Sequence, residues 1–180
     1  MKNPEDILWV TRVLLFNDNR AYTHLMDKYL PHVHRYFLIL TKGNSAVSDD
    51  LTQETFIKVW QGLGGFKQIT SLQNWILKIA FNTFVSYARK EKKEDFLEPL
   101  DDEAKAYEIA DDEATQPPDE DALHRAIYRL GTKERECVTL FYLEEKKIKE
   151  IVKITGYSEG SIKAYLSRAR GNLQKILKIE

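Results

Sequence analysis

The residues of this chain whose types and spacing could do chemistry are set out for binding rather than for turnover. In a helical register, Gly160, Ala164, Ser167 and Gly171 share one face. Lys163 and Gln174 edge it on one side; Ser161, Arg168 and Lys175 edge it on the other. A smooth ridge of small side chains bordered by cations suits a major groove walled by phosphates, because the backbone can approach closely while the cations meet the anions. A solvated amphipathic helix carries similar residues, so the ridge alone leaves both readings open. A second pattern lies at Asp50, Gln53 and Glu54, whose i, i+3, i+4 spacing puts them on one helix face. Val47, Leu51 and Val59 occupy another face, and Phe56 and Trp60, four apart, form a third patch. That pattern fits a helix meeting a partner as well as its own core, and equally a bundle helix with a wet acidic edge. No residue set resembles a nucleophile beside its base, so an enzyme is not expected. His24, His32, His34 and His124 lack metal-ligand spacing, and Gly62-Leu-Gly-Gly65 is followed by no Gly-Lys-Ser/Thr. No metal and no cofactor are expected.

Helices must position these residues. Tyr22, Leu25, Met26, Tyr29 and Leu30 recur at helical spacing up to Pro31, and Val33, Tyr36, Phe37 and Leu40 continue beyond it. Pro31 therefore predicts a junction, or the first turn of a second helix. After the break at Gly43-Asn44-Ser45, a helix is expected from about Val47 to Trp60, ending at Gly62. A polar loop, Lys67 to Ser71, leads into another helix over about Leu72 to Lys90. Trp9, Val13, Leu14 and Phe16 predict an N-terminal helix packed on these. Further on, Leu123, Ile127 and Leu130 form a stripe stopped by Gly131. Thr132 is placed to cap the next helix, with Val138, Phe141 and Tyr142 inward. Cys137 reads as a small buried hydrophobe. Ile148, Ile151, Val152 and Ile154 make a short helix, Gly156 its C-terminal cap, and Ser158 the N-cap of a last helix. Two helices joined by Thr155-Gly156-Tyr157-Ser158 match a helix-turn-helix unit. At about 100° per residue, Ile162, Leu166, Ala169, Leu173 and Ile176 of the last helix fall within about 80° of arc and form its buried stripe.

Charge divides the 180-residue chain into three. Residues 1–93 carry 13 basic and 8 acidic side chains, or +5; residues 94–121 carry 1 and 13, or −12; residues 122–180 carry 13 and 7, or +6. Two basic helical domains, 1–93 and 122–180, joined by a flexible acidic linker over 94–121, give an all-α fold class. A short helical turn is expected near Ala104 to Ala110. The single cysteine excludes an internal disulfide, and no apolar run nears the ~20 residues of a membrane helix. Early acids and no small-residue cleavage site in Met1 to Val10 argue against a secretory signal. A cytoplasmic protein with no membrane insertion is expected.

The run from Asp50 to Trp60 (Asp-Leu-Thr-Gln-Glu-Thr-Phe-Ile-Lys-Val-Trp), followed by Trp75-Ile-Leu-Lys-Ile-Ala-Phe-Asn82, resembles region two of bacterial sigma factors. Leu130 to Leu173, with Ser161-Ile-Lys-Ala-Tyr-Leu-Ser-Arg-Ala-Arg170 inside it, is similar to region four. Two such domains with no third between them resemble the extracytoplasmic-function (ECF) group. The resemblance implies a sigma factor that binds core RNA polymerase, directs it to specific promoters and melts the minus-ten element. Region two would span 1–93 and region four 122–180. It implies that Asp50, Gln53, Glu54, Phe56 and Trp60 hold core polymerase through the clamp helices of its catalytic subunit. It implies that Phe66, Lys67, Gln68, Ile69, Thr70, Ser71, Asn74, Lys78, Asn82, Arg89 and Lys90 meet minus-ten DNA. Ser158, Ser161, Lys163, Ala164, Ser167, Arg168 and Arg170 would read the minus-thirty-five element. The acidic linker matches the segment that threads the RNA-exit channel, and an anti-sigma factor of unstated identity is a further partner class.

The residue chemistry agrees with these roles. A flipped base needs a small polar pocket and a stacking partner, which Phe66, Gln68, Thr70, Ser71 and Asn74 supply by type. Lys78, Arg89 and Lys90 can neutralise phosphates. Two other readings stand beside this one. A helix-turn-helix regulator acting without polymerase would use the last helix and leave the Asp50 face idle. A helical protein-binding adaptor would use that face and leave the cation-edged ridge idle.

Overall fold

The computed structural model describes residues 3–67, 69–95 and 122–177, and those residues hold helices and no strand. Gln68 and nearly all of the acidic segment, with the turn expected near Ala104, lie outside them. The first group comprises α1 (Pro4–Phe16), α2 (Asn19–Leu40), α3 (Ser45–Gly62) and α4 (Leu72–Asp95). Asn3, Asp18 and Asn44 cap the first three, each side chain accepting from a backbone N–H of the first turn. The second group comprises α5 (Ala122–Tyr128), α6 (Thr132–Val138), α7 (Ile148–Thr155) and α8 (Glu159–Leu177). Among the described residues no helix is long and apolar enough to cross a membrane.

Helix α2 is the spine. It packs on α1, α3 and α4 and also touches α5 and α6. It runs unbroken through Pro31, contrary to the junction expected there. Pro31 forfeits one backbone hydrogen bond, but Ala21, Leu25, Tyr29, Val33, Tyr36, Phe37 and Leu40 bury one continuous stripe on both sides of it. Each large side chain fully buried contributes about 1.5–3 kcal/mol, enough to carry the helix across the fault. Helix α1 turns Val10, Val13 and the buried carboxylate of Asp6 inward, whereas Leu14 and Phe16 face solvent, correcting the packing expected for those two. Asp6 belongs inside because Lys28 Nζ lies 2.6 Å away and the Tyr29 hydroxyl donates to it.

In the second group, Ile162, Leu166 and Ala169 of α8 are buried as expected, with Leu173 and Ile176 half-buried. Gly156 caps α7 at φ +79°, a left-handed conformation suited to glycine. Ser158 Oγ accepts from Ser161 N–H at 3.0 Å. Cys137 is fully buried. Two expectations fail. Gly131, not Thr132, is the N-cap of α6, and Thr132 makes no capping bond. Tyr142 faces solvent because a wide π-type turn over Thr139–Leu143, in which Glu144 N–H reaches back to the Thr139 carbonyl (3.0 Å), inserts a residue and rotates it outward.

The two groups do not stand apart. Helix α7 packs along α4, and one apolar core runs through both groups.

Candidate functional site

Three surfaces carry the residues singled out in the sequence. The first is on α3. Asp50, Gln53, Glu54 and Trp60 are exposed, and Glu54 pairs with Lys58 one turn on at 2.6 Å. Phe56 is not on this surface. It is buried, and its carbonyl accepts from the Tyr22 hydroxyl, so it anchors α3 to α2. Trp60 stands edge-on to Tyr22 with ring centroids 4.7 Å apart, which fixes the indole while leaving 39% of the residue exposed. Ile57, seven residues after Asp50 and therefore on the same face, is also exposed. The sequence reading missed it, although the i+7 spacing signals it. The face is thus two carboxylates and an amide around an apolar spot, continuing to Trp60.

The second surface is the start of α4 and the loop before it. Phe66 packs on Trp75, centroids 5.3 Å apart. Ser71 Oγ accepts from Asn74 N–H at 3.2 Å and so caps the helix. Lys67 and Ile69 are exposed, Thr70 and Ser71 half-buried. Lys78, Asn82 and Arg89 recur at four- and seven-residue intervals on one exposed stripe of α4, with Lys90 beside it. Asn74 stands apart. It is only 6% exposed because α7 covers it: its Nδ2 donates to Glu150 Oε1 at 2.7 Å, and its Oδ1 is buried with no partner.

The third surface is α8. Ser158, Lys163, Ala164, Ser167, Arg168 and Arg170 are exposed and Ser161 half-buried. Lys163 pairs with Glu159 at 2.7 Å. That ammonium holds the Glu159 carboxyl below its ordinary range. Arg168 lies over the Tyr165 ring, 5.0 Å from its centroid, and 3.5 Å from Glu134. Both contacts hold the guanidinium at the border of the ridge without burying it. Beneath the turn, the Tyr157 hydroxyl donates to Glu136 Oε2 at 2.7 Å, while the Tyr157 ring meets Tyr165 and Phe81 of α4. Burial raises the Glu136 carboxyl to about 7, against the pull of Tyr157 and Arg135.

The arrangement offers an acidic-apolar helix face, a cationic helix stripe beside an aromatic pair, and a cation-edged helical ridge. Comparison with known proteins places the chain in a family. The sequence model of the family described as Sigma-70 region 2 matches residues 25–94, and that described as Sigma-70, region 4 matches residues 120–173. The chain is 31% identical over 157 residues to the ECF RNA polymerase sigma factor SigM of Bacillus subtilis (strain 168), covering 84% of this chain and 92% of that one. It is 28% identical over 160 residues to the ECF RNA polymerase sigma factor SigM of Mycobacterium tuberculosis (strain ATCC 25618 / H37Rv), covering 89% and 79%. Among solved structures, a chain of the complex of the sigma factor RpoE with the anti-sigma factor NepR from Bartonella quintana superposes with a TM-score of 0.69 at 25% identity, covering 88% of this chain and 98% of that one. A chain of the complex of CnrH with the cytosolic domain of CnrY shares the fold, with a TM-score of 0.65 at 18% identity, covering 98% and 99%.

Proposed function

Since the chain belongs to the ECF group of RNA polymerase sigma factors, we propose a residue-level account of how it binds core RNA polymerase and directs it to promoters. The acidic face of α3, with Asp50, Gln53, Glu54, Ile57 and Trp60, docks on the clamp helices of the catalytic subunit. Exposed carboxylates draw a basic partner, and a fixed indole supplies apolar contact at the edge. Phe66 and Trp75, with Thr70, Ser71, Asn74 and Asn82, receive bases of the melted minus-ten strand, and Lys67, Lys78, Arg89 and Lys90 track its phosphates. Helix α8 lies in the major groove of the upstream element, with Ala164 and Ser167 at the floor and Lys163, Arg168 and Arg170 toward the walls. Residues 1–93 and 122–180 act as the two working domains, and the acidic segment between them lies in the RNA-exit channel. The protein works in the cytoplasm as an initiation factor, without catalysis of its own, and an anti-sigma factor is among its partners.

The observation that carries this account is that one chain presents both an exposed acidic face on α3 and an exposed cation-edged ridge on α8. A regulator without polymerase has no use for the first, and an adaptor none for the second. Run-off transcription with reconstituted holoenzyme on genomic fragments tests it. Discrete promoter-dependent transcripts that require this protein are expected. Binding to duplex DNA with no effect on core enzyme would overturn the account.

A further inference from the structure

The corner between α6 and α7 reaches out of its own helical group and into the other. Glu144, its side chain wholly buried, receives Arg35 Nη2 at 2.8 Å, lies 3.2 Å from His32 Nδ1, and accepts from Gln73 Nε2 at 3.3 Å. Lys146 Nζ donates to Gln73 Oε1 at 2.7 Å, and Arg35 also donates to the Leu143 carbonyl at 3.1 Å. The π-type turn aims this corner, and Glu145 adopts φ +52° so that both its neighbours point inward. Glu150 completes the contact. Its Oε2 accepts from Lys147 N–H at 3.0 Å, which sets its rotamer, and its Oε1 accepts from Asn74.

From this we infer that residues 143–150 are an intramolecular plug. The free chain closes α7 onto α4, and the Glu150 carboxylate occupies the Asn74 amide in place of an acceptor on a DNA base. Glu144, held by Arg35, His32 and Gln73, is the latch. This rests on the minus-ten reading of α4. The closed state is also built to be left. The Tyr36 hydroxyl is buried at the same junction without a partner, Asn74 Oδ1 likewise, and a non-glycine residue sits in the left-handed region. Water or DNA would satisfy both polar atoms once the plug withdraws. Most of the other DNA-facing residues are untouched by the plug, so it denies the pocket at the head of α4 rather than DNA contact as a whole.

The test uses the full chain. Spin labels at Asp27→Cys and Lys153→Cys, both exposed positions on α2 and α7, report the distance between the two groups; the native Cys137 is buried and remains unlabelled. Arg35→Glu sets a carboxylate against Glu144 and should lengthen and broaden that distance. The pair Arg35→Glu with Glu144→Arg should restore it. Fluorescent random-sequence single-stranded DNA is the binding probe. Because the free chain is mostly closed, affinity should rise about ten-fold or more on opening, and Asn74→Ala in the opened background should abolish the gain. Should Arg35→Glu lose helicity, Glu144→Gln removes the latch's charge while sparing Arg35 and Gln73 and should lengthen the same distance. An unchanged distance in a folded variant overturns the latch. A lengthened distance with unchanged DNA affinity overturns the plug and places the fault in the minus-ten reading of Asn74, not in the closure.

Discussion

Glu136 ties the stability of the helix-turn-helix unit to pH. It is 2% exposed, and burial lifts its carboxyl from 4.5 to about 7. Between those values the folded protein keeps a proton that the unfolded chain has released. The stabilisation is therefore complete below the unfolded value and is lost as pH rises through the folded one. A displacement of that size corresponds to roughly 3 kcal/mol, a large share of a small domain's stability. Glu136→Gln keeps an acceptor for the Tyr157 hydroxyl and carries no charge at any pH. Urea denaturation followed by circular dichroism, from about pH 5 to about pH 8, should show the variant near wild type at the acid end. It should become more stable than wild type by up to roughly 3 kcal/mol at the alkaline end, with equal m-values. A gap between the two curves that stays constant across the range would refute the reasoning, since a purely steric effect of the amide has no pH dependence.

Asp50→Lys with Glu54→Lys should weaken core-polymerase binding, mainly by slowing association and flattening its salt dependence, while circular dichroism stays native; surface plasmon resonance across a salt series reads both. Phe66→Ala should cost about ten-fold in binding of a pre-melted promoter by holoenzyme if a base stacks there, and much less on a fully duplex probe. Ala164→Leu should block upstream-element binding by bulk alone. Arg168→Ala should cost ~1–3 kcal/mol with relaxed specificity if it pairs with guanine, or reduce the salt slope by about one unit if it meets phosphate. A polymerase fragment bearing only the clamp helices should bind wild type and Arg35→Glu alike, measured by titration calorimetry.

Helix α8 was legible in the sequence because one of its faces meets the core and the other meets solvent, so apolar and small residues separate cleanly by period. Helix α3 was less so. It is covered by α2 on one side and α4 on another, and Ser48, Thr52 and Thr55 are buried with Leu51, Phe56 and Val59. The Ser48 and Thr52 hydroxyls bond back to carbonyls four residues earlier, each at 2.7 Å, so these two enter the core at little cost; the Thr55 hydroxyl is buried without a partner, and all three blur the pattern. The pattern accordingly sets Phe56 on a patch with Trp60, whereas the structure buries it. The junction between the groups was not legible at all. Its members, Arg35, Gln73 and Glu144, are charged or polar and far apart along the chain. Each is of a type that is mostly exposed, and only their mutual pairing removes Glu144 from water.

That junction constrains how the protein can be switched. The acidic face of α3 is exposed while α7 covers Asn74. A partner that touches only α3 meets the same surface in the closed and opened chain, and so has no differential affinity with which to shift the balance. Opening must be driven by a second contact that only the opened chain can make, on the α5–α8 group or on α4 itself. Moving a population from mostly closed to mostly open takes about 5.5 kcal/mol of such differential binding. The ridge of α8 is also exposed in the closed state, so duplex DNA on that ridge cannot supply it either. What remains are surfaces hidden at the junction: the flank of α4 bearing Gln73 and Asn74, and the α6–α7 corner that covers it. On the minus-ten role proposed for α4, melted DNA on the first surface, or polymerase on the second, would pull in the same direction. Core enzyme and promoter strand should therefore each raise the other's affinity through this one interface, without any direct contact between them.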